Sequence, residues 1–169
     1  GGLPFLGNDR FKGPLKYLEE QDNIKVVVFS AYWREKIQIL GGEQFTSQLF
    51  STVKWMVSQG FKVVLMMDAP DFGFDPTLCV HENKLSEARC EITRQKHVSD
   101  QAVYRELFVA IAQHPNVELV DVSEAICGEN TCSMLSKGRL LYRDNDHLNL
   151  VGSKMAGELL VKKSRFLSQ

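Results

Sequence analysis

Apolar and polar positions along this chain of 169 residues follow two rhythms. Three runs are almost continuously apolar, "IKVVVFS" (24–30), "FKVVLMMD" (61–68) and "VELVDV" (117–122), as strands buried on both faces are. Between them the apolar residues recur every three or four positions. Over 42–60, Phe45, Leu49, Phe50, Val53 and Met56 form one helical stripe, and Gly60 stops it. "SDQAVYRELFVAIAQHP" (99–115) predicts a second long helix, with Ser99 or Asp100 as its cap and Pro115 after its end. A short helix is predicted over 14–21, with Pro14 in its first turn, and a last one from Leu150 to Phe166, capped by Asn149. "KGRLLYRD" (137–144) reads as one arm of a hairpin. Strands alternating with helices predict an α/β three-layer fold with a mostly parallel sheet, as a single domain over 1–169. In such sheets functional residues collect at the carboxyl ends of the strands. That singles out three loops: 30–33, 68–76 and 144–147.

Composition narrows the class. Hydrophobic residues make up 44% and charged residues 24%, the balance of an ordinary globular domain. With 20 basic and 21 acidic side chains the net charge is −1, and there is no basic stripe of the kind nucleic acid requires. No apolar run is long enough to span a bilayer, and "GGLPFLGNDRFKG" lacks the apolar core of a signal peptide. The chain does not begin with methionine, which leads us to expect a fragment or a processed product.

The cysteines are Cys79, Cys90, Cys127 and Cys132, in C-x10-C and C-x4-C spacing rather than the C-x2-C of zinc sites. Four cysteines allow three pairings. The simplest is two local disulfides, Cys79–Cys90 and Cys127–Cys132, each flanking a polar stretch, which implies an oxidising compartment. The alternative is four reduced thiols.

The most chemical stretch is "YRDNDHLN" (142–149). Asp144 stands three residues before His147, just ahead of a helix. A nucleophilic triad needs an imidazole to accept a hydroxyl proton and a carboxylate on its other nitrogen to fix the tautomer. Asp144 and His147 are the candidates. Asp146 is a rival partner that should point elsewhere, since immediate neighbours diverge. The bland alternative makes Asp144 a turn cap. A metal is not expected, because "DND" lacks the glycine and distal glutamate of a calcium loop. His81, His97 and His114 are expected to be structural or solvated, with His114 at a helix C-terminus where it favours the dipole. "EARCEITRQK" (87–96) reads as a solvated face.

"CGENTCSMLSKGRLLYRDNDHLNLVGSKMAG" resembles the C-terminal end of SGNH (GDSL-like) hydrolase domains, and most of all those fused to membrane O-acyltransferases of the acyltransferase-three family. The likeness rests on Cys127, Cys132, Leu140, Leu141, Tyr142, Asp144, His147, Leu148, Asn149 (often Ser in the family) and Gly152. It extends less specifically through "VVVFSAYW", "VVLMMDAPDFGFDPTLC" and "LPFLG". It implies an SGNH (flavodoxin-like) fold in which Asp144 and His147 are triad members. The family's Gly-Asp-Ser nucleophile block occurs nowhere in the sequence, so the N-terminal strand and that block are expected upstream of residue 1. "SAYW" stands where ordinary members carry Gly-x-Asn-Asp, whose Asn lends an oxyanion donor. Tyr32 or Trp33 is therefore a candidate for the acyl site, with core packing the alternative for Trp33. "GND" at Gly7–Asp9 is a decoy for the missing block, and Gly1, Gly2 or Gly7 is a candidate oxyanion N–H. Ser30 ends a strand but lacks the glycine-flanked turn of a nucleophile elbow. Phe72 and Phe74 either line a substrate groove or fold their loop down.

The resemblance implies a periplasmic or extracytoplasmic domain of a bacterial envelope enzyme. That enzyme would pass an acyl group, expected to be acetyl, to a hydroxyl of a lipopolysaccharide or another polysaccharide. The expected partners are the glycan and a membrane acyltransferase domain in the same or a partner chain, with no nucleic acid. No cofactor is expected here, since acetyl-CoA would be used by the membrane domain. This chain alone is expected to be inactive. The alternatives are a free-standing carbohydrate esterase and a catalytically inactive glycan-binding module.

Overall fold

The computed structural model describes residues 12–81, 84–85 and 90–168. In chain order the elements are α1 (Lys12–Glu19), β1 (Val26–Phe29), α2 (Trp33–Leu40), α3 (Gly42–Ser58), β2 (Lys62–Met66), β3 (Val80–His81) and β4 (Lys84–Leu85). There follow β5 (Glu91–Thr93), α4 (Arg94–Ile111), β6 (Val117–Val120), β7 (Thr131–Ser133), β8 (Leu135–Ser136), β9 (Arg139–Leu140) and α5 (Leu150–Lys163). The three apolar runs supply the three strands of a parallel sheet in the order β1-β2-β6, with Val26 opposite Lys62 and Met66 opposite Val120.

Alternation along β2 sorts the layers. Val63, Leu65 and Met67 face a core built with Trp33, Phe45 and Phe108 from α2, α3 and α4. Val64 and Met66 face the other way, where Ala156 and Leu160 of α5 cover them. Helices on both faces make the three-layer α/β arrangement that the alternating pattern predicts. Each fully buried large side chain contributes roughly 1.5–3 kcal/mol, so this sandwich carries most of the apolar driving force. A second core lies beyond the carboxyl ends of the strands, where Phe72, Met134, Leu141 and Tyr142 pack around the cysteines. There Cys79 is bonded to Cys90 and Cys127 to Cys132.

The structure departs from the sequence pattern in five places. Helix α2 is not signalled, because Tyr32 before it offers no side-chain cap. Its first N–H, from Trp33, is received instead by Asp68 at 3.1 Å, far away in sequence. Helix α4 starts at Arg94 rather than after Ser99 or Asp100, with Thr93 Oγ1 accepting the Lys96 N–H at 3.2 Å. The buried face of its first turns is polar, His97 and Gln101, so no apolar stripe marks it. The described part of 87–96 is a solvated face only in part: Thr93, Gln95 and Lys96 are exposed, but Cys90 is buried and Glu91–Thr93 pairs with β7. The hairpin arm shrinks to Arg139–Leu140, joined to β8 through Lys137 and Gly138 at φ 51° and 72°. Such a two-residue turn requires positive φ at both positions. Finally, α5 ends at Lys163, three residues before Phe166, where Ser164 Oγ receives the N–H groups of Phe166 and Leu167.

Candidate active site

The closing motif is fixed before any chemistry is considered. Asn149 Oδ1 accepts the N–H groups of Val151 and Gly152 at 2.9 and 3.1 Å, capping α5. Its amide donates to the Leu140 carbonyl at 2.8 Å, so one side chain ties the helix start to β9. At Gly152 an added Cβ would lie 2.3 Å from the Leu141 carbonyl oxygen, so only glycine lets α5 approach this closely. Tyr142 and Leu148 bridge across the loop, and the Arg143 N–H reaches the His147 carbonyl at 3.0 Å. The buried Tyr142 donates its hydroxyl to the Pro70 carbonyl at 2.9 Å.

Within this loop the Asp144 carboxylate accepts the backbone N–H groups of Asp146 (3.2 Å) and His147 (2.7 Å). It therefore does cap a turn. The same carboxylate also meets the imidazole, with His147 Nδ1 at 3.0 and 3.1 Å from its two oxygens. Desolvation is the first influence and opposes ionisation, but the His147 and Asp146 N–H groups and the imidazole together outweigh it and hold the Asp144 carboxyl well below the usual range. Asp146 does not diverge as expected, since its Oδ1 lies 3.2 Å from the same Nδ1. Burial pushes the Asp146 carboxyl up and the Asp144 charge adds to that, while His147 opposes them. With Nδ1 bound between two carboxylates, Nε2 is the nitrogen left to accept a proton. Ligand-type atoms of Asp144, Asp146 and His147 lie within 4.8 Å of one another, the spacing of a cation cluster. Here the spacing follows from the carboxylate–imidazole contacts themselves, so it supplies no separate case for a metal.

The other two loops meet this one. Tyr32, Asp68, Arg143, Asp146 and His147 line one open cleft of about 430 Å³ at the carboxyl ends of β1 and β2. Tyr32 thus stands at the cleft. Its hydroxyl donates to Asp71 at 2.6 Å, and burial first, then Asp71, pushes the phenol up to about 12, so it stays protonated. Trp33 does not stand there. Its indole is fully buried against Phe29, Phe45 and Phe108, and Nε1 donates to the Met66 carbonyl at 2.8 Å, so its side chain belongs to the core. Asp68 combines several roles that local sequence cannot announce. It receives the Trp33 N–H at 3.1 Å and the Tyr104 hydroxyl at 3.2 Å, and burial, only partly offset by these donors, pushes its carboxyl up to about 7.

Ser30 also lines the cleft, but it makes no hydrogen bond to His147. His97 is buried in α4 and His114 accepts the Asn116 N–H through Nδ1 at 3.1 Å, so neither enters this site. Phe72 is buried and packs on Tyr142 with ring centroids 4.9 Å apart, folding its loop down rather than lining the cleft. Gly1, Gly2, Gly7 and the Gly7–Asp9 stretch lie outside the described residues, as does the side chain of His81. Arg34, Asp71 and Asn145, which tie the loops together, carry no sequence signal of their own, because their partners lie far along the chain. Among the described residues no helix is long and apolar enough to cross a membrane.

The model of the family described as "SGNH domain (fused to AT3 domains)" matches residues 8–162. No curated protein matches the chain in sequence. Among solved structures, the chain is similar to the periplasmic domain of a lipopolysaccharide acetyltransferase from Salmonella ser. Paratyphi A, with a TM-score of 0.65 at 11% identity. The likeness covers 90% of this chain and 60% of that domain, so the chain spans under two thirds of its neighbour's length.

Proposed function

The chain belongs to the family of SGNH domains fused to AT3 domains, and on that footing we propose that it is the extracytoplasmic domain through which a membrane O-acyltransferase passes an acetyl group to an envelope glycan. The observation that carries this reading is the bond from His147 Nδ1 to Asp144 at the mouth of the cleft. A carboxylate on Nδ1 fixes the tautomer whose Nε2 accepts a proton and stabilises the imidazolium that results.

The nucleophile would be a serine of the family's Gly-Asp-Ser block, which this sequence does not contain. In the first half-reaction its oxygen attacks the acyl carbonyl and its proton passes to His147 Nε2. Collapse of the tetrahedral intermediate expels the donor's leaving group, which takes that proton, and leaves an acyl-serine. In the second, a glycan hydroxyl gives its proton to His147 and attacks the acyl-serine. The serine leaves, recovers the proton, and the glycan carries the ester. Two features suit a further strand that carries the serine block: β1 has no partner on its outer edge among the described residues, and exposed Val28 lies on that strand. The acyl group would come from acetyl-CoA by way of the membrane domain, and the acceptor class follows the acetyltransferase named for the structural neighbour.

The test uses the full-length protein, or this chain extended to include the serine block. It should hydrolyse p-nitrophenyl acetate, and His147→Ala should lower kcat/KM at least ~10³-fold. Unchanged turnover in that variant would remove His147 from the mechanism. A full-length chain with no such serine would leave the inactive glycan-binding reading in its place.

A further inference from the structure

We propose that Asp71, clamped by Arg34, is a positioning residue that locks the Tyr32 wall of the cleft to the loop carrying Asp144 and His147. This inference rests on the site assigned above, and concerns residues outside the catalytic pair.

Asp71 sits where three segments meet. One carboxylate oxygen accepts the Tyr32 hydroxyl at 2.6 Å and pairs with the Arg34 guanidinium. The other accepts the Gly73 N–H at 2.8 Å and faces the Asn145 amide at 3.5 Å. Tyr32 and Arg34 come from the β1–α2 junction, Gly73 from the loop after β2, and Asn145 from between Asp144 and Asp146. Arg34 is itself held on three sides, by Asp71, by the Tyr32 oxygen at 3.0 Å, and by Asp100 of α4 at 3.2 Å. A planar guanidinium can serve these partners at once, where an ammonium cannot. The loop bearing Asp71 is bolted to the closing motif by separate means. The Phe72 N–H donates to the Asn145 carbonyl at 3.0 Å, and the Tyr142 hydroxyl to the Pro70 carbonyl at 2.9 Å.

The two attachments differ in kind. Backbone bonds and ring packing fix the Asp71 loop to the His147 loop. The Tyr32 wall is fixed to it by a charge clamp of one carboxylate and one guanidinium. Removing the carboxylate's charge should free Tyr32 while leaving the Asp144–His147 pair intact. The expected signature is weaker substrate binding at nearly constant chemistry, since the reacting groups stay in place while one wall loses its position.

Two measurements test this. Tyrosine 13Cζ NMR on the 169-residue chain, with the Tyr32 signal assigned through Tyr32→Phe, reads the clamp without any activity. Asp71→Asn and Arg34→Gln should each move that signal, and the double variant should move it no further, because each substitution breaks the same unit. Kinetics on the full-length protein with p-nitrophenyl acetate should show Asp71→Asn raising KM roughly tenfold with kcat within about twofold. Additive shifts in the double variant would overturn the clamp. A loss of kcat at constant KM would overturn the positioning role. If the parent protein shows no acyl transfer at all, the proposed function fails, and the NMR arm alone decides for or against the clamp.

Discussion

The sheet core and the region beyond its carboxyl edge are both built of buried side chains, yet they are held by opposite means. In the sheet core, strands of four or five residues alternate between two helical layers, and Trp33, Phe45, Leu49 and Phe108 fill the space between them. Beyond the edge no described strand exceeds three residues. There two disulfides, one tight turn and a few aromatic contacts do the work that periodic packing does elsewhere. The candidate site hangs from the second region and only leans on the first. Its precision therefore depends on cross-links and single hydrogen bonds, and the sheet can persist while the site is lost.

The largest effect should come from the sheet core. Trp33→Ala removes a side chain that meets three aromatic rings, and should cost roughly 3–5 kcal/mol in a denaturant titration. A cost under about 1 kcal/mol would mean that the indole is not the core element its burial implies. Next comes the other side of the comparison. Replacing Cys79 and Cys90 together by alanine should cost about 2–3 kcal/mol. Hydrogen exchange should then quicken over residues 127–149 while the amides of β2 and β6 keep their protection. Uniform quickening throughout would show the two regions unfolding as one unit, and would erase the distinction.

How much of each region is legible in the sequence follows the same division. The strands emerge within two or three residues of their apolar runs, because a parallel strand buried on both faces leaves no other pattern. Helix α3 and the Asn149 cap are equally plain, since their signals are local. Asp144 and His147 are visible as a pair because the turn between them is three residues long. What stays hidden depends on contacts distant in sequence. Helix α2 borrows its cap from Asp68, α4 buries polar residues in its first turns, and Tyr32 takes its place at the cleft from Arg34 and Asp71. Trp33 shows the limit from the other side. Its position in the "SAYW" stretch leaves the acyl site and core packing both open, and the three-dimensional packing decides for the core.

Asp68 joins the two regions, and pH should reveal it. Its carboxyl titrates near 7 in the folded chain against an ordinary 3.8, so the folded state holds the proton more tightly than the unfolded one. The stability this contributes is complete below about pH 4 and is lost as pH rises through about 7. Discounted for its partial exposure, the change should be on the order of 2 kcal/mol. Asp68→Asn should flatten that part of the stability profile. A variant that keeps the parent's slope between pH 4 and 7 would place the titration in some other group.

The smallest effect is the sharpest test of how the closing motif is tied down. Asn149 caps α5 through its oxygen and holds the Leu140 carbonyl through its nitrogen, whereas serine is shorter and has a single polar atom, so it caps the helix without also reaching that carbonyl. Asn149→Ala should lose both functions and cost about 1–2 kcal/mol. Asn149→Ser should restore the cap and leave a deficit of about 0.5–1 kcal/mol, the net worth of one hydrogen bond. If serine matches asparagine in thermal unfolding, the bond to Leu140 contributes nothing to stability. The tie between α5 and the hairpin then rests on the backbone bond from the Asn149 N–H to the Leu141 carbonyl at 2.8 Å and on the close approach at Gly152, where that carbonyl leaves no room for a side chain.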